Sequence, residues 1–289
     1  MKKKKWLIII IGGFFVLGAF FLKGGRKQQY VFSSSTCPLP QGGGKIVSIP
    51  ANTDWVSAIS GLKPGDVAQL EAGTYYPTGK KITVSGTANE PITICGSGYL
   101  ETTINGNKGS AALRIDKSNY VVLQNVQVTN PSPIGNPLDP DDPAHTYSNT
   151  ARHKLPPTDP GYSPLAEGIV IQGGSSYITI KDSYFHDVAT RGIIISSSYS
   201  HDVLIEHNMF LHVGDDTASA DISVGGEATE VTLRENLLGG NVDGAIIDGV
   251  GTGHLVDRNL IVSHNWEDGI DIKGHRPISL YSIPSSYPP

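Results

Sequence analysis

The chain has 289 residues, 38% of them hydrophobic and 17% charged, with 34 glycines and 19 prolines, which is enough apolar material for one large domain and too much for a disordered chain. A formal net charge of −5, with the only lysine run (Lys2 to Lys5) placed against an apolar segment, argues against nucleic acid as a partner. Two cysteines with no CxxC and no His-rich cluster argue against a structural zinc site.

The first element in chain order is Trp6 to Leu22, 17 apolar or glycine residues between Lys2–Lys5 and Lys23, Arg26 and Lys27. As a helix it would span about 25 Å, near the lower limit for crossing a bilayer, with the lysines cytoplasmic. No small-x-small cleavage site follows Leu22, so residues 1–27 are expected to be an uncleaved signal anchor, with the remainder exported as a membrane-anchored monomer or secreted. Residues 28–50 read as a polar linker. Two readings of Cys37 and Cys95 stay open: a disulfide tying this arm to the domain, or two unrelated thiols.

Asp54 offers an N-cap, and Trp55, Val56, Ile59 and Leu62 give one short amphipathic helix. From there on short alternating runs replace helical periodicity, and two patterns recur in alternation. One is EGIVIQ from Glu167, RGIIIS from Arg191, ADISVG from Ala220, DGAIID from Asp243 and DGIDIK from Asp268. The other is YVVLQNVQV from Tyr120, YITIKDSYF from Tyr177, DVLIEHNMF from Asp202, EVTLRENLL from Glu230 and GHLVDRNLI from Gly253. Aligning the second stacks Val126, Ser183, Asn208, Asn236 and Asn259 in one column, with coil lengths of 25, 28 and 23 residues for the last four copies.

Hairpins of that period would not keep one residue type in one column, whereas a solenoid stacks like side chains at ~4.8 Å. The expected fold over residues 51–276 is therefore all-β, a right-handed parallel β-helix with the Asp54 helix capping its N-terminal end, an asparagine ladder at one turn, and a tail at 277–289. Asn130 to Ala166 interrupts the period with nine prolines and reads as a long loop insertion, either overhanging a groove or solvated.

Strand alternation points Ile169, Ile193, Ile222, Ala245 and Ile270 inward, with Ile171, Ile195, Val224, Ile247 and Ile272. Outward columns read Val170, Ile194, Ser223, Ile246, Asp271 and Gln172, Ser196, Gly225, Asp248, Lys273. The turn column before them reads Glu167, Arg191, Ala220, Asp243, Asp268. Charge thus gathers toward the C-terminal coils. Asp243 above Asp268 is either a Ca²⁺ site, joined by Asp271, or a solvated acidic turn ladder, and Asp248 above Lys273 can be a plain salt bridge. On the other sheet Lys181, Glu206, Arg234 and Asp257 alternate in sign and explain themselves by neighbour pairing. His186, His201, His207, His212, His254 and His264 sit at varied offsets, suited to turn and surface roles.

The segment Gly61 to Gly98, with PGD, L-x-x-GTY and SGTANEPITI, followed by TTING, resembles the opening coils of the chondroitinase B and alginate lyase family and of related pectate-lyase-like β-helix proteins. The resemblance implies an exported protein acting on acidic polysaccharide by β-elimination, with an outward strand lysine as base, an arginine one coil later, and Ca²⁺ neutralising the uronate. Ile270-Asp271-Ile272-Lys273-Gly274 is similar in position, which makes Lys273 the base, with Asp248, His275 and Arg276 as substrate contacts. After His275 the stretch RPISLYSIPSSYPP offers no further coil, so the arginine has no counterpart. HNWEDGID is also similar to the calcium segment of the family nine pectate lyases, which places Asp268 and Asp271 on the metal with Asp243 one coil before; that family's lysine falls at Asp248. A lysine flanked by Asp248 and Asp271 holds its proton unless calcium offsets those charges. The alternative is a non-catalytic surface β-helix that binds glycan or serves as an adhesive or structural module.

Overall fold

The computed structural model describes residues 7–11, 14–18, 36–77, 80–131, 166–196, 199–214, 220–239, 243–262, 269–273 and 279–281. Among the described residues three parallel sheets, of nine, seven and seven strands, run side by side along one axis; seven coils give one strand to each sheet, and Ile46–Ile49 and Ser279–Tyr281 extend the first sheet at its two ends. Ser176–Lys181, Tyr184–Val188 and Arg191–Ile195 make one coil; His201–Glu206, Met209–Val213 and Ala220–Gly226 stack on it strand for strand. The fold is an all-β parallel solenoid of the right-handed type with almost no helix, as the recurring columns require.

Its interior is built from those columns. Ile169, Ile193, Ile222 and Ala245 are in register and fully buried, as are Ile171 and Ile195 with Val224 and Ile247 close behind. Ile270 and Ile272 continue the two columns, Ile272 exposed. Phe185 stacks on Phe210 in the next coil at 4.6 Å between ring centroids. Asp54 caps the helix Trp55–Ser60 by accepting from the Ser57 backbone N–H at 3.3 Å and its hydroxyl at 2.7 Å. Trp55, Val56 and Ile59 turn into the core, and Trp55 meets Tyr75 edge to face at 5.6 Å. Burial pushes the Tyr75 phenol up to about 12.

The asparagine ladder forms. Asn236 Oδ1 accepts from the Asn208 backbone N–H at 3.0 Å and amide at 3.1 Å, and Asn259 repeats both bonds to Asn236 at 2.9 Å. Asn208, Asn236 and Asn259 also donate to the Ile180, Ile205 and Leu233 carbonyls. The residue before each ladder position, Asn125, Asp182, His207, Glu235 or Arg258, is left-handed with φ between 49° and 58°. That conformation costs a non-glycine residue roughly 1–2 kcal/mol, which the buried amide bonds offset. A second ladder lies at the turn between the third and first sheets, where Ser175 Oγ accepts from Ser118 N and Ser118 Oγ accepts from Val84 N, both at 3.1 Å.

Cys37 and Cys95 are joined, tying the arm to the strand Ile92–Gly96. In place of the single helix expected across Trp6 to Leu22, Leu7–Ile11 and Phe14–Gly18 pair as antiparallel strands, consistent with the β-propensity of isoleucine, phenylalanine and valine. Among the described residues no helix is long and apolar enough to cross a membrane. Beyond His275, where no further coil is expected, Ser279–Tyr281 adds the next rung of the first sheet by pairing with Leu255–Asp257. Three alternating residues suffice for a rung when a paired edge is already present. Of the long insertion, residues 132–165 lie outside the described residues. Its two flanks are held together, because Asn130 Nδ2 donates to the Glu167 carbonyl at 2.9 Å and to the Gly109 carbonyl at 2.8 Å.

Candidate functional site

The outward face of the third sheet carries the residues singled out by the sequence. One registered column runs Lys81, Arg114, Val170, Ile194, Ser223, Ile246, Asp271. Beside it Asp116 pairs in register with Gln172 and Gly225 with Asp248. Lys273 follows Asp248 in the next coil, its backbone N–H donating to the Ile247 carbonyl at 2.9 Å.

At the C-terminal end Lys273 Nζ lies 2.7 Å from Asp271 Oδ2, the lysine side chain 52% exposed and the aspartate 20%. Asp248 is exposed beside them. Lys273, Asp271 and Asp248 are therefore brought together on one solvent-facing surface. Asp243 is not part of it. Its position has the same parity as Ala245, it stands in register with Ala220, and it is 1% exposed. The register partner of Asp271 is Ile246, so Asp243 lies three residues, roughly 10 Å along the strand, from the level of Asp271. Asp243 and Asp271, so placed on opposite faces, are not brought to one ion; Asp268, the third of the expected calcium set, is not among the described residues. Among the described residues no group of three or more His, Cys, Asp or Glu could hold a metal. Asp268, His275, Arg276 and His264 lie outside the described residues.

In the turn column before these strands, Glu167 and Arg191 form a lock around the buried Glu167 carboxyl. Glu167 accepts from Arg191 Nη1 at 3.0 Å, from its backbone N–H at 3.1 Å and from Thr190 Oγ1 at 3.0 Å. Burial pushes the Glu167 carboxyl up while the Arg191 guanidinium pulls it back. On the first sheet the alternating ladder is as expected: Lys181, Glu206, Arg234 and Asp257 are successive register partners, and Arg234 forms an ion pair with Glu206. The histidines take turn and surface partners. His186 lies 2.7 Å from Asp187, His201 2.7 Å from Asp202 and His207 2.5 Å from Glu235, while burial pulls the His254 imidazole below its usual pKa.

The N-terminal end of the third-sheet face carries a polar network that sequence reasoning missed. Asp116, 4% exposed, accepts from Lys81 Nζ at 2.6 Å and from Gln172 Nε2 at 3.1 Å. Gln172 Oε1 in turn accepts from Arg114 Nη1 at 3.2 Å, and Ser110 Oγ accepts from Arg114 Nη2 at 3.0 Å. The Lys81 ammonium holds the Asp116 carboxyl below its usual range, with Gln172 assisting. The outward position of Arg114, one residue before inward Ile115 in ALRID, is the signal that could have found it.

No protein-family model and no curated protein matches the sequence. Among solved structures the chain is similar to an alginate lyase from a Paenibacillus species, with 17% identity, 79% of this chain and 74% of that chain covered, and a TM-score of 0.59. A lacto-N-biosidase from Eubacterium ramulus matches with 13% identity, 78% and 55% coverage and a TM-score of 0.47. A mannuronic acid specific polysaccharide lyase from the human gut microbiota matches with 14% identity, 81% and 53% coverage and a TM-score of 0.45. This chain spans about half the length of the latter two. The pectate-lyase-like β-helix expected from the opening coils is the fold of this chain.

Proposed function

We propose that this chain acts on acidic polysaccharide bound along the outward face of the third sheet, with Lys273 as the base of a β-elimination. The observation that carries the reading is the meeting of Lys273, Asp271 and Asp248 on one solvent-facing surface of the solenoid, at the end of a registered column. The likeness to an alginate lyase supports the fold, and the chemistry rests on the residues. Elimination requires a base at the proton on carbon 5 of a uronide and positive charge at the neighbouring carboxylate. Lys273, when deprotonated, supplies the base. Asp243 and Asp271 stand apart, so no step is routed through the metal, and calcium dependence enters as an arm of the test. Export through the Trp6 to Leu22 segment, with the monomeric chain anchored at the cell surface, belongs to the same proposal. It is supported by the Cys37–Cys95 disulfide, which suits an oxidising compartment.

The experiment is ultraviolet absorbance of unsaturated uronide on polygalacturonate, alginate and chondroitin, with Ca²⁺ and with chelator. Product formed by the wild type and lost in Lys273→Ala supports the lyase; folded protein that forms none on any polymer refutes it. One observation favours a second reading, a non-catalytic glycan-binding module: the Asp271 carboxylate 2.7 Å from Lys273 Nζ favours the ammonium form. Saturable polymer binding without product would select that reading.

A further inference from the structure

We infer that Lys81 and Arg114 form a second anion-binding subsite on the third sheet, remote from Lys273, that takes a carboxylate of a polyuronate chain lying along this face. The inference rests on the acidic-glycan reading above and extends it to the opposite end of the same column.

The first sheet provides the comparison. There, charges in register alternate in sign through Lys181, Glu206, Arg234 and Asp257. Lys81 and Arg114 are also direct register partners and both face outward, yet both are cations. Like charges directly opposite on neighbouring strands repel. Asp116 is the one carboxylate in their network, and exposed Lys117 adds a further cation next to it in sequence. The heads are nonetheless held in place: Asp116 is buried and grips Lys81 and Gln172, and Gln172 with Ser110 orients the Arg114 guanidinium. The Lys81 side chain remains 55% exposed. Of the two preset cations only Lys81 is bonded to the buried carboxylate, while Arg114 is held by the neutral Gln172 and Ser110, which leaves an excess of positive charge, and the planar fork of arginine suits a carboxylate.

Between this pair and Asp271 the column is uncharged, through Val170, Ile194, Ser223 and Ile246. Five strand steps separate Arg114 from Asp271, about 24 Å at ~4.8 Å each. A chain that reaches both ends must be an oligomer, so affinity should rise with its length.

The test measures binding of long polygalacturonate, alginate and chondroitin chains, and of the corresponding disaccharides, to the full chain and its variants. Arg114→Gln and Lys81→Gln should each weaken long-chain binding on the order of tenfold, the loss of one charged hydrogen bond, and the gain of affinity with length should shrink. Lys81→Arg should keep most of the affinity, and it preserves the partner of Asp116 if Lys81→Gln unfolds. Arg234→Gln removes an equal charge from the first sheet and should bind as wild type does. Long-chain affinity unchanged in Arg114→Gln, or lowered equally by Arg234→Gln, overturns the subsite while leaving the acidic-glycan reading standing. Failure of the wild type to bind any of the polymers overturns both.

Discussion

Asn236 offers a graded test of what holds the coils in register. Its side chain makes four hydrogen bonds: Oδ1 accepts from the Asn208 backbone N–H and amide, and Nδ2 donates to the Ile205 carbonyl and to Asn259 Oδ1. All lie in a fully buried turn, where an ordinary bond is worth about 1 kcal/mol net and an orphaned N–H costs about 1–3. Asn236→Ala removes all four and leaves the Asn208 N–H without an acceptor, a cost of about 4 kcal/mol out of the typical ~5–15 for a domain. Asn236→Ser keeps an acceptor in the place where Ser183 Oγ already accepts from Val126 N, and should cost about half as much. Urea unfolding followed by far-ultraviolet circular dichroism reads both. An alanine cost under about 1 kcal/mol, or a serine variant no better than alanine, would refute the account of the ladder as a buried hydrogen-bond device.

Three further outcomes are expected. Lys273→Ala should lower kcat/KM by about 10²–10⁴-fold if the lysine is the base, with thermal stability little changed because its ion pair is exposed; a decrease in activity matched by unfolding would remove the catalytic reading. Replacing Cys37 and Cys95 by serine opens a link between residues 58 apart, worth about 4 kcal/mol on a chain-entropy account, and a denaturation midpoint equal to wild type would contradict it. Asp116 is held below the ordinary carboxylate range, so the stability it contributes is complete above the unfolded value of about 3.9 and disappears as pH falls through the lower folded value. The gap in melting temperature between wild type and Asp116→Asn should therefore close in acid, and a gap constant from neutral pH to strong acid would exclude the linkage.

The columns were legible because a solenoid repeats one offset in every coil. Asn208, Asn236 and Asn259, the Ile193 and Ile195 columns and the alternating Lys181 to Asp257 ladder all follow from spacing alone. The serine ladder repeats the spacing of the asparagine ladder, 57 residues from Ser118 to Ser175 as from Val126 to Ser183, but serine is common at turns and announces nothing by itself. Asp243 misleads because it opens a charged strand pattern, although its parity with Ala245 already turns it inward. Lys81 and Arg114 belong to coils of irregular length, so no repeat aligns them. Left-handed Glu235 and Arg258 could not be read at all, since neither residue type favours that conformation; the Asn that follows each one makes the turn.

Asp271 separates the two readings of Lys273 through the pH dependence of activity. A base must lose its proton, and a carboxylate at 2.7 Å favours the protonated form. Asp271→Asn removes that charge while keeping a side chain of the same shape, so the ammonium should release its proton at lower pH. If Lys273 is the base, the acidic limb of the kcat/KM profile moves to lower pH, and activity near that limb rises relative to wild type. If Asp271 instead carries a cation that neutralises substrate charge, the substitution lowers kcat/KM at every pH and abolishes any calcium dependence. A profile unchanged in both height and position would mean that neither residue touches the rate-limiting chemistry, and the third-sheet face would then be a surface for holding glycan.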